Sequence, residues 1–188
     1  MKQSTPQDYR DSVLDCFRAL STEELQKQSA NLVTHTVAFI DRGAQALRGL
    51  RVGAYRNFPK TEPHLDSLWE SLRESGAVLF FPVRVSDSKP LDFEQEITGH
   101  SLAAGALDWI FVPGLAFSSL NGGRIGRGKG YYDRTLLSAR QESGQRVNSV
   151  ALALDFQVFE SALPTHSGDQ SVDAILTPTR EFVFQARS

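Results

Sequence analysis

From Gly122 to Asp133 the chain reads Gly-Gly-Arg-Ile-Gly-Arg-Gly-Lys-Gly-Tyr-Tyr-Asp, placing five glycines and three cations in a dozen positions. Glycine lets backbone N–H groups approach a ligand closely. Arg124, Arg127 and Lys129 would repel one another unless they shared an anion. The apolar run Trp109–Val112 precedes this loop, and a helical pattern begins at Tyr131. A helix start adds partial positive charge, so the combination of strand, cationic glycine loop and helix predicts a phosphate site. A plain surface connection is the competing reading, which two tyrosines and an acid at the helix start disfavour.

Known phosphate loops do not fit. Gly123 to Lys129 has the glycine–lysine spacing of a P-loop, but Gly130 stands where Ser or Thr should hold magnesium, and the loop comes late in the chain. The spacing also departs from the dinucleotide fingerprint. Asp133 follows the cations directly. A carboxylate beside bound phosphates is a candidate magnesium ligand, and equally an acid favoured by the helix dipole. Asp169 and Asp173 lie in the polar segment His166 to Asp173, where solvated loop acids are the simpler expectation. Arg10 and Arg18 lie on a first helix, and Glu62 precedes another. His35, His64, His100 and His166 lack metal-ligand spacing, and no serine-nucleophile elbow is present.

The elements that must hold these residues follow from periodicity. Helical spacing covers 7–20, with Tyr9, Val13, Leu14, Phe17 and Leu20 on one side. Ser21 and Glu24 form a capping box opening a second helix to Ile40. A third helix is predicted over 62–74 and a fourth over 131–142, the latter closed by Gly144. Strands are predicted at 51–55, 77–83, 109–112, 149–154, 174–176 and 182–184, with an edge strand at 91–93. Strands alternating with helices imply an α/β fold with an open, mainly parallel sheet and helices on both faces. Ligands in such folds bind beyond the C-terminal ends of the strands, where the glycine loop lies.

The chain has 188 residues, 40% hydrophobic and 22% charged, and a net charge of −2. One domain over 1–188 is expected, with a real core. The charge balance argues against a nucleic-acid surface, and no apolar run reaches membrane length. Cys16 is the single cysteine, so no intrachain disulfide can form. Small-molecule ligands, a monomer and a cytoplasmic location are expected, an organelle remaining open.

Val112-Pro113-Gly114-Leu115-Ala116-Phe117 followed by Gly123 to Asp133 resembles the signature of the 5-formyltetrahydrofolate cyclo-ligases, also called methenyltetrahydrofolate synthetases. Ala151 to Gln157, Leu163-Pro164 and Asp169-x-x-x-Asp173 follow the same pattern. The resemblance implies a fold shared with sugar-phosphate isomerases and CoA transferases. It also implies conversion of 5-formyltetrahydrofolate to 5,10-methenyltetrahydrofolate while ATP is split to ADP and phosphate with Mg2+. Under it, Arg10, Arg124, Ile125, Gly126, Arg127, Gly128, Lys129, Gly130, Tyr131 and Tyr132 bind ATP. Arg127 to Tyr131, with Asn57 and Glu62, border the reduced folate, Glu62 facing the pterin. Asp133 and Asp169 serve magnesium, and Arg124, Arg127 and Lys129 carry the catalytic charge.

Two departures stand out. Relatives carry a lysine four residues before the N-terminal arginine, where this chain has Pro6, and a longer segment than Phe93 to Asp108. These leave open an altered member that binds nucleotide or folate without efficient turnover. An enzyme acting on another phosphorylated substrate is the third reading.

Overall fold

Side-chain alternation along the central strands divides the apolar residues between two faces, and each face is covered by helices. The computed structural model describes residues 4–43, 47–142 and 147–184. Its strands are β1 (Arg51–Gly53), β2 (Val78–Arg84), β3 (Leu91–Gln95), β4 (Ser101–Ala103), β5 (Trp109–Val112), β6 (Ala116–Ser118), β7 (Arg124–Ile125), β8 (Asn148–Leu152), β9 (Val158–Phe159), β10 (Ala174–Leu176) and β11 (Glu181–Val183). The helices are α1 (Pro6–Ala19), α2 (Thr22–Arg42), α3 (Asp66–Glu74) and α4 (Tyr131–Glu142).

The large sheet runs β11-β10-β8-β5-β1-β2-β3-β4. Its five inner strands, from β10 to β2, are parallel. Antiparallel β3 and β4 close one edge and β11 the other. Leu79, Phe81, Phe111, Val150, Leu152, Ala174 and Leu176 pack with Leu32, Leu68, Trp69 and Leu72 of α2 and α3. The intervening residues Phe80, Ile110, Val112, Ala151 and Ile175 face the other way, against Leu136 and Ala139 of α4. Coverage of both faces is why these strands read as continuous apolar runs.

A second sheet, β7-β6-β9, was not legible in the sequence. Its strands are two or three residues long and carry little pattern. It packs with α1 through Val13, Phe17, Leu115, Ala116, Ile125 and Leu154. α1 therefore lies beside the glycine loop, because β7 is the first part of that loop. Thr5 and Asp8 form a capping box at its start, with Pro6 in the first turn. The expected Ser21–Glu24 box opens α2.

Several boundaries differ from expectation. The third helix starts at Asp66 rather than Glu62. Pro63 biases Glu62 toward extended backbone, and the His64 N–H donates to the Ser29 hydroxyl at 2.9 Å instead of entering a helix. The expected edge strand is longer and interior, because β4 pairs on its outer side. The first strand ends at Gly53 and the strand expected over 149–154 spans Asn148–Leu152. Gly144, expected to close α4, lies outside the described residues. Among the described residues, no helix is long and apolar enough to cross a membrane.

Candidate functional site

A cavity of about 710 Å³ opens beyond the C-terminal ends of the parallel strands. The ends of β2 and β5 supply Pro82, Arg84, Pro113 and Gly114; the loop after β1 supplies Phe58 and Glu62. All residues from Arg124 to Asp133 line it, joined by Pro6, Gln7 and Arg10 of the first helix with its N-cap Thr5, and by Pro164, His166 and Asp169 of the late loop. Residues far apart in sequence thus meet because sheet order brings three strand ends and two loops to one place.

The cations divide by burial. Arg124 is 4% exposed at its side chain and donates from Nη2 to Asp133 Oδ1 at 2.7 Å. Burial pulls its pKa below the usual value, while Asp133, the Tyr132 ring and Asp169 act the other way. A guanidinium starts so high that it stays charged. Arg124 is thus a fixed positive charge in a low-dielectric wall, where its field acts most strongly. Arg127 and Lys129 are exposed. Arg127 donates to Thr61 Oγ1 at 2.7 Å, lies 3.5 Å from Glu62 Oε1 and sits 4.3 Å above the Phe58 ring. Arg10 reaches across from α1 and donates from Nε to the Gly126 carbonyl at 2.8 Å. It fixes the loop from outside.

The backbone follows the same purpose. Gly130, immediately before α4, has a φ of +67°, which other residues rarely adopt. Tyr131 and Tyr132, consecutive residues of α4, point to different sides because successive helical side chains are rotated by about 100°. The Tyr131 hydroxyl donates to Asp87 Oδ1 and receives Arg84 Nη1 at 3.2 Å, at the exposed rim. The Tyr132 hydroxyl is buried, and burial raises its pKa far above the normal phenol value.

Glu62 is buried at the cavity wall. Its Oε2 accepts the Phe58 N–H at 2.9 Å. Burial raises its pKa above the ordinary carboxylate value, and the Phe58 N–H and Arg127 only partly offset this. Tyr55, 2% exposed, has its pKa raised well above the ordinary phenol value, first by burial and then by the Glu62 charge.

Asp133 and Asp169 both line the cavity. Asp133 Oδ1 accepts Arg124 and the Gln170 N–H at 3.1 Å; Asp169 Oδ2 accepts the His166 N–H at 2.7 Å. No group of three or more His, Cys, Asp or Glu among the described residues could hold a metal by itself. Magnesium needs only one or two carboxylates when phosphate oxygens and water complete its shell, so the two aspartates fit that ion as a partner of bound phosphate.

The cavity gathers the expected residues Arg10, Glu62, Arg124 to Asp133, and Asp169; Asn57 does not line it, while its neighbour Phe58 does. Nothing in the sequence marked Phe58 or Arg84. Thr5 could have been found from the Thr5-x-x-Asp8 capping box, which places the α1 N-terminus. Chemically, the cavity offers buried and exposed cations, two carboxylates, a buried acid and two tyrosines. That set suits an anhydride of phosphate beside a flat polar ring.

The model of the 5-formyltetrahydrofolate cyclo-ligase family matches residues 2–178. The chain is 28% identical to the 5-formyltetrahydrofolate cyclo-ligase of Mus musculus, covering 85% of this chain and 87% of the relative. It is 29% identical to that of Mycolicibacterium smegmatis over 65% of this chain and 71% of the relative. Among solved structures, the fold is similar to the 5,10-methenyltetrahydrofolate synthetase of Mycoplasma pneumoniae, with TM-score 0.79, 22% identity, and 93% of this chain and 99% of the other covered. The Aquifex aeolicus synthetase gives TM-score 0.76 at 26% identity, covering 97% and 95%.

Proposed function

The chain belongs to the 5-formyltetrahydrofolate cyclo-ligase family, and from that premise we propose that it converts 5-formyltetrahydrofolate to 5,10-methenyltetrahydrofolate while splitting ATP to ADP and phosphate with Mg2+. We read residues 1–188 as one catalytic domain acting on small molecules in the cytoplasm as a monomer. The observation that carries the reading is the meeting of Arg10, Arg124, Arg127 and Lys129 with Glu62 in one cavity.

A formamide oxygen is a weak nucleophile and its carbon a weak electrophile. Transfer of the γ-phosphoryl group to that oxygen breaks the bond to ADP and makes the oxygen a good leaving group. N10 of the same folate then attacks the activated carbon, the N10 proton is lost, and inorganic phosphate departs with the former formyl oxygen. Arg124, Arg127 and Lys129 stabilise the charge spread over the transferring group. Asp133 and Asp169 would hold magnesium, which when bound neutralises phosphate charge. Arg10 holds the loop at Gly126, so the cations need little reorganisation. Glu62 accepts from the N–H edge of the pterin, and Tyr131, held by Asp87, bounds the ring. Together they keep N10 near the formyl carbon, a proximity effect.

A second reading has one observation in its favour. Pro6 lines the cavity at the place where relatives carry a lysine, so the cavity-lining part of α1 contributes one cation, Arg10. Binding without efficient turnover follows if that charge is indispensable. One assay separates the readings: Mg-ATP and 5-formyltetrahydrofolate, followed by the near-ultraviolet absorbance of the methenyl product. Product formation is expected. ATP binding without product favours the altered relative; neither favours a different phosphorylated substrate.

A further inference from the structure

Arg10, Arg124, Arg127 and Arg134 crowd the glycine loop, and three of them lie against its glycines. A Cβ on Gly126 would stand 3.3 Å from Arg124 Nη1, one on Gly128 3.5 Å from Arg10 Nη2, and one on Gly130 2.8 Å from Arg134 Nη1. Arg124 is paired with Asp133, Arg10 donates to the Gly126 carbonyl, and Arg134 donates to the Lys129 carbonyl at 3.1 Å. Arg127 is held differently. Its contacts come from the loop after β1, with Thr61 lying 66 residues away in the chain.

Phe58 to Thr61 form a tight turn. The Thr61 N–H donates to the Phe58 carbonyl at 3.2 Å, and Lys60 between them takes a φ of +60°, which residues with a side chain rarely adopt. The turn brings two groups to one guanidinium. The Phe58 ring centroid lies 4.3 Å from Arg127 Cζ, and Thr61 Oγ1 accepts from Arg127 Nη2 at 2.7 Å. The Thr61 O–H itself donates to the Phe58 carbonyl at 3.4 Å, which leaves its lone pairs for the arginine. Glu62 Oε1, 3.5 Å from the same nitrogen, is the acid that faces it. Phe58 is 56% exposed, so core packing does not account for an aromatic ring here. The Arg127 side chain stays 38% exposed and lines the cavity. A guanidinium has five N–H donors, and the Thr61 bond uses one of them.

Resting on the cyclo-ligase reading, we propose that Phe58 and Thr61 are positioning residues for phosphoryl transfer: their turn holds the Arg127 guanidinium by its face and by one Nη2–H, so that its other donors meet the transferring group. Both residues act through Arg127. An arginine set between two glycines and left unheld has to be ordered as the reaction proceeds. One already held in place supplies the preorganised charge on which this kind of stabilisation depends.

The test uses the full chain, with Mg-ATP varied at saturating 5-formyltetrahydrofolate. Phe58→Leu is expected to lower kcat/KM for ATP about threefold, the size of an exposed cation–π contact. Thr61→Val should lower it about tenfold, through loss of a hydrogen bond from a charged group. Phe58→Tyr keeps an aromatic face and Thr61→Ser keeps the hydroxyl, so each should recover most of its loss. In an Arg127→Ala background both losses should vanish, because nothing remains to be held. Losses that persist in that background, or that appear only in the folate KM, would show that the turn touches substrate or serves the fold, and would overturn the proposal. Should one variant fail to fold, the other carries the cycle; should both fail, the turn is structural and the proposal falls. A chain that forms no product fails the cyclo-ligase reading. Positioning is then read from the Kd of Mg-ATP by calorimetry: Phe58→Leu and Thr61→Val should weaken binding only while Arg127 is present, and unchanged values sink the idea. A chain that binds no ATP overturns both.

Discussion

Arg124 and Asp133, nine residues apart, form an ion pair at 2.7 Å with the arginine almost wholly buried. The pair joins the short strand β7 to the first turn of α4 across the glycine loop, so the loop is closed at its base by one charged contact. Breaking a buried pair leaves an uncompensated charge and costs about 3–5 kcal/mol. Arg124→Ala and Asp133→Ala should each destabilise by about 3 kcal/mol, near the low end of that range because Asp133 is partly exposed. In urea unfolding the double variant should lose less than the two singles together. Strict additivity would show that the contact is not a coupled pair.

Lys129 tests the opposite situation. It is exposed on the loop, so its removal should change unfolding free energy by no more than about 0.5 kcal/mol. If it stabilises the transferring phosphoryl group, Lys129→Ala should cut turnover by about 10²–10³. Equal losses in stability and activity would contradict this role.

Glu62 makes stability depend on pH in an unusual direction for a carboxylate. Burial raises its folded pKa above the ordinary 4.5, so the folded state holds the proton more tightly than the unfolded chain. Its contribution is greatest below the unfolded pKa and is lost as pH rises through the raised folded value. Glu62→Gln removes that loss. The melting temperature of the variant, relative to the unaltered chain, should therefore climb from pH 4 to pH 7.5, even as folate binding weakens. A difference that is flat with pH would mean the carboxyl ionises as it does in water.

Gly122 shows that the first glycine of the loop serves the fold. Its φ is +70°, and a Cβ there would stand 2.4 Å from the Val172 carbonyl and 2.9 Å from the Phe184 ring. Gly122→Ala should destabilise by about 2 kcal/mol or more, from backbone strain plus the forced shift of Val172. Gly168→Ala, with nothing within 4 Å of its Cβ, should change little. Differential scanning calorimetry of both variants decides it; a tolerated Gly122→Ala would mean the Val172 segment yields easily.

The strongest periodic signals were the most legible. Trp109–Val112, Tyr131–Glu142 and Ala174–Leu176 have the limits expected from the chain alone, because local apolar patterning and propensity agree with burial there. Legibility failed where distant contacts outvote local ones. Glu62 to Leu65 lie outside the helix because Ser29, thirty-five residues away from His64, takes the His64 N–H. The edge strand became interior because Ser101–Ala103, with no apolar alternation, pairs beside it.

The linear order of residues already determined the cationic glycine loop, its place after a core strand and before a helix, and the chemistry that such charge density demands. Folding decided what shares the cavity with that loop: Arg10 carried over by α1, Phe58 and Glu62 by the loop after β1, and Arg84 by the end of β2. It also decided which cation is buried and which of two adjacent tyrosines faces inward. Those properties belong to sheet order and solvent exclusion, which couple residues more than a hundred positions apart, and local spacing holds no record of them.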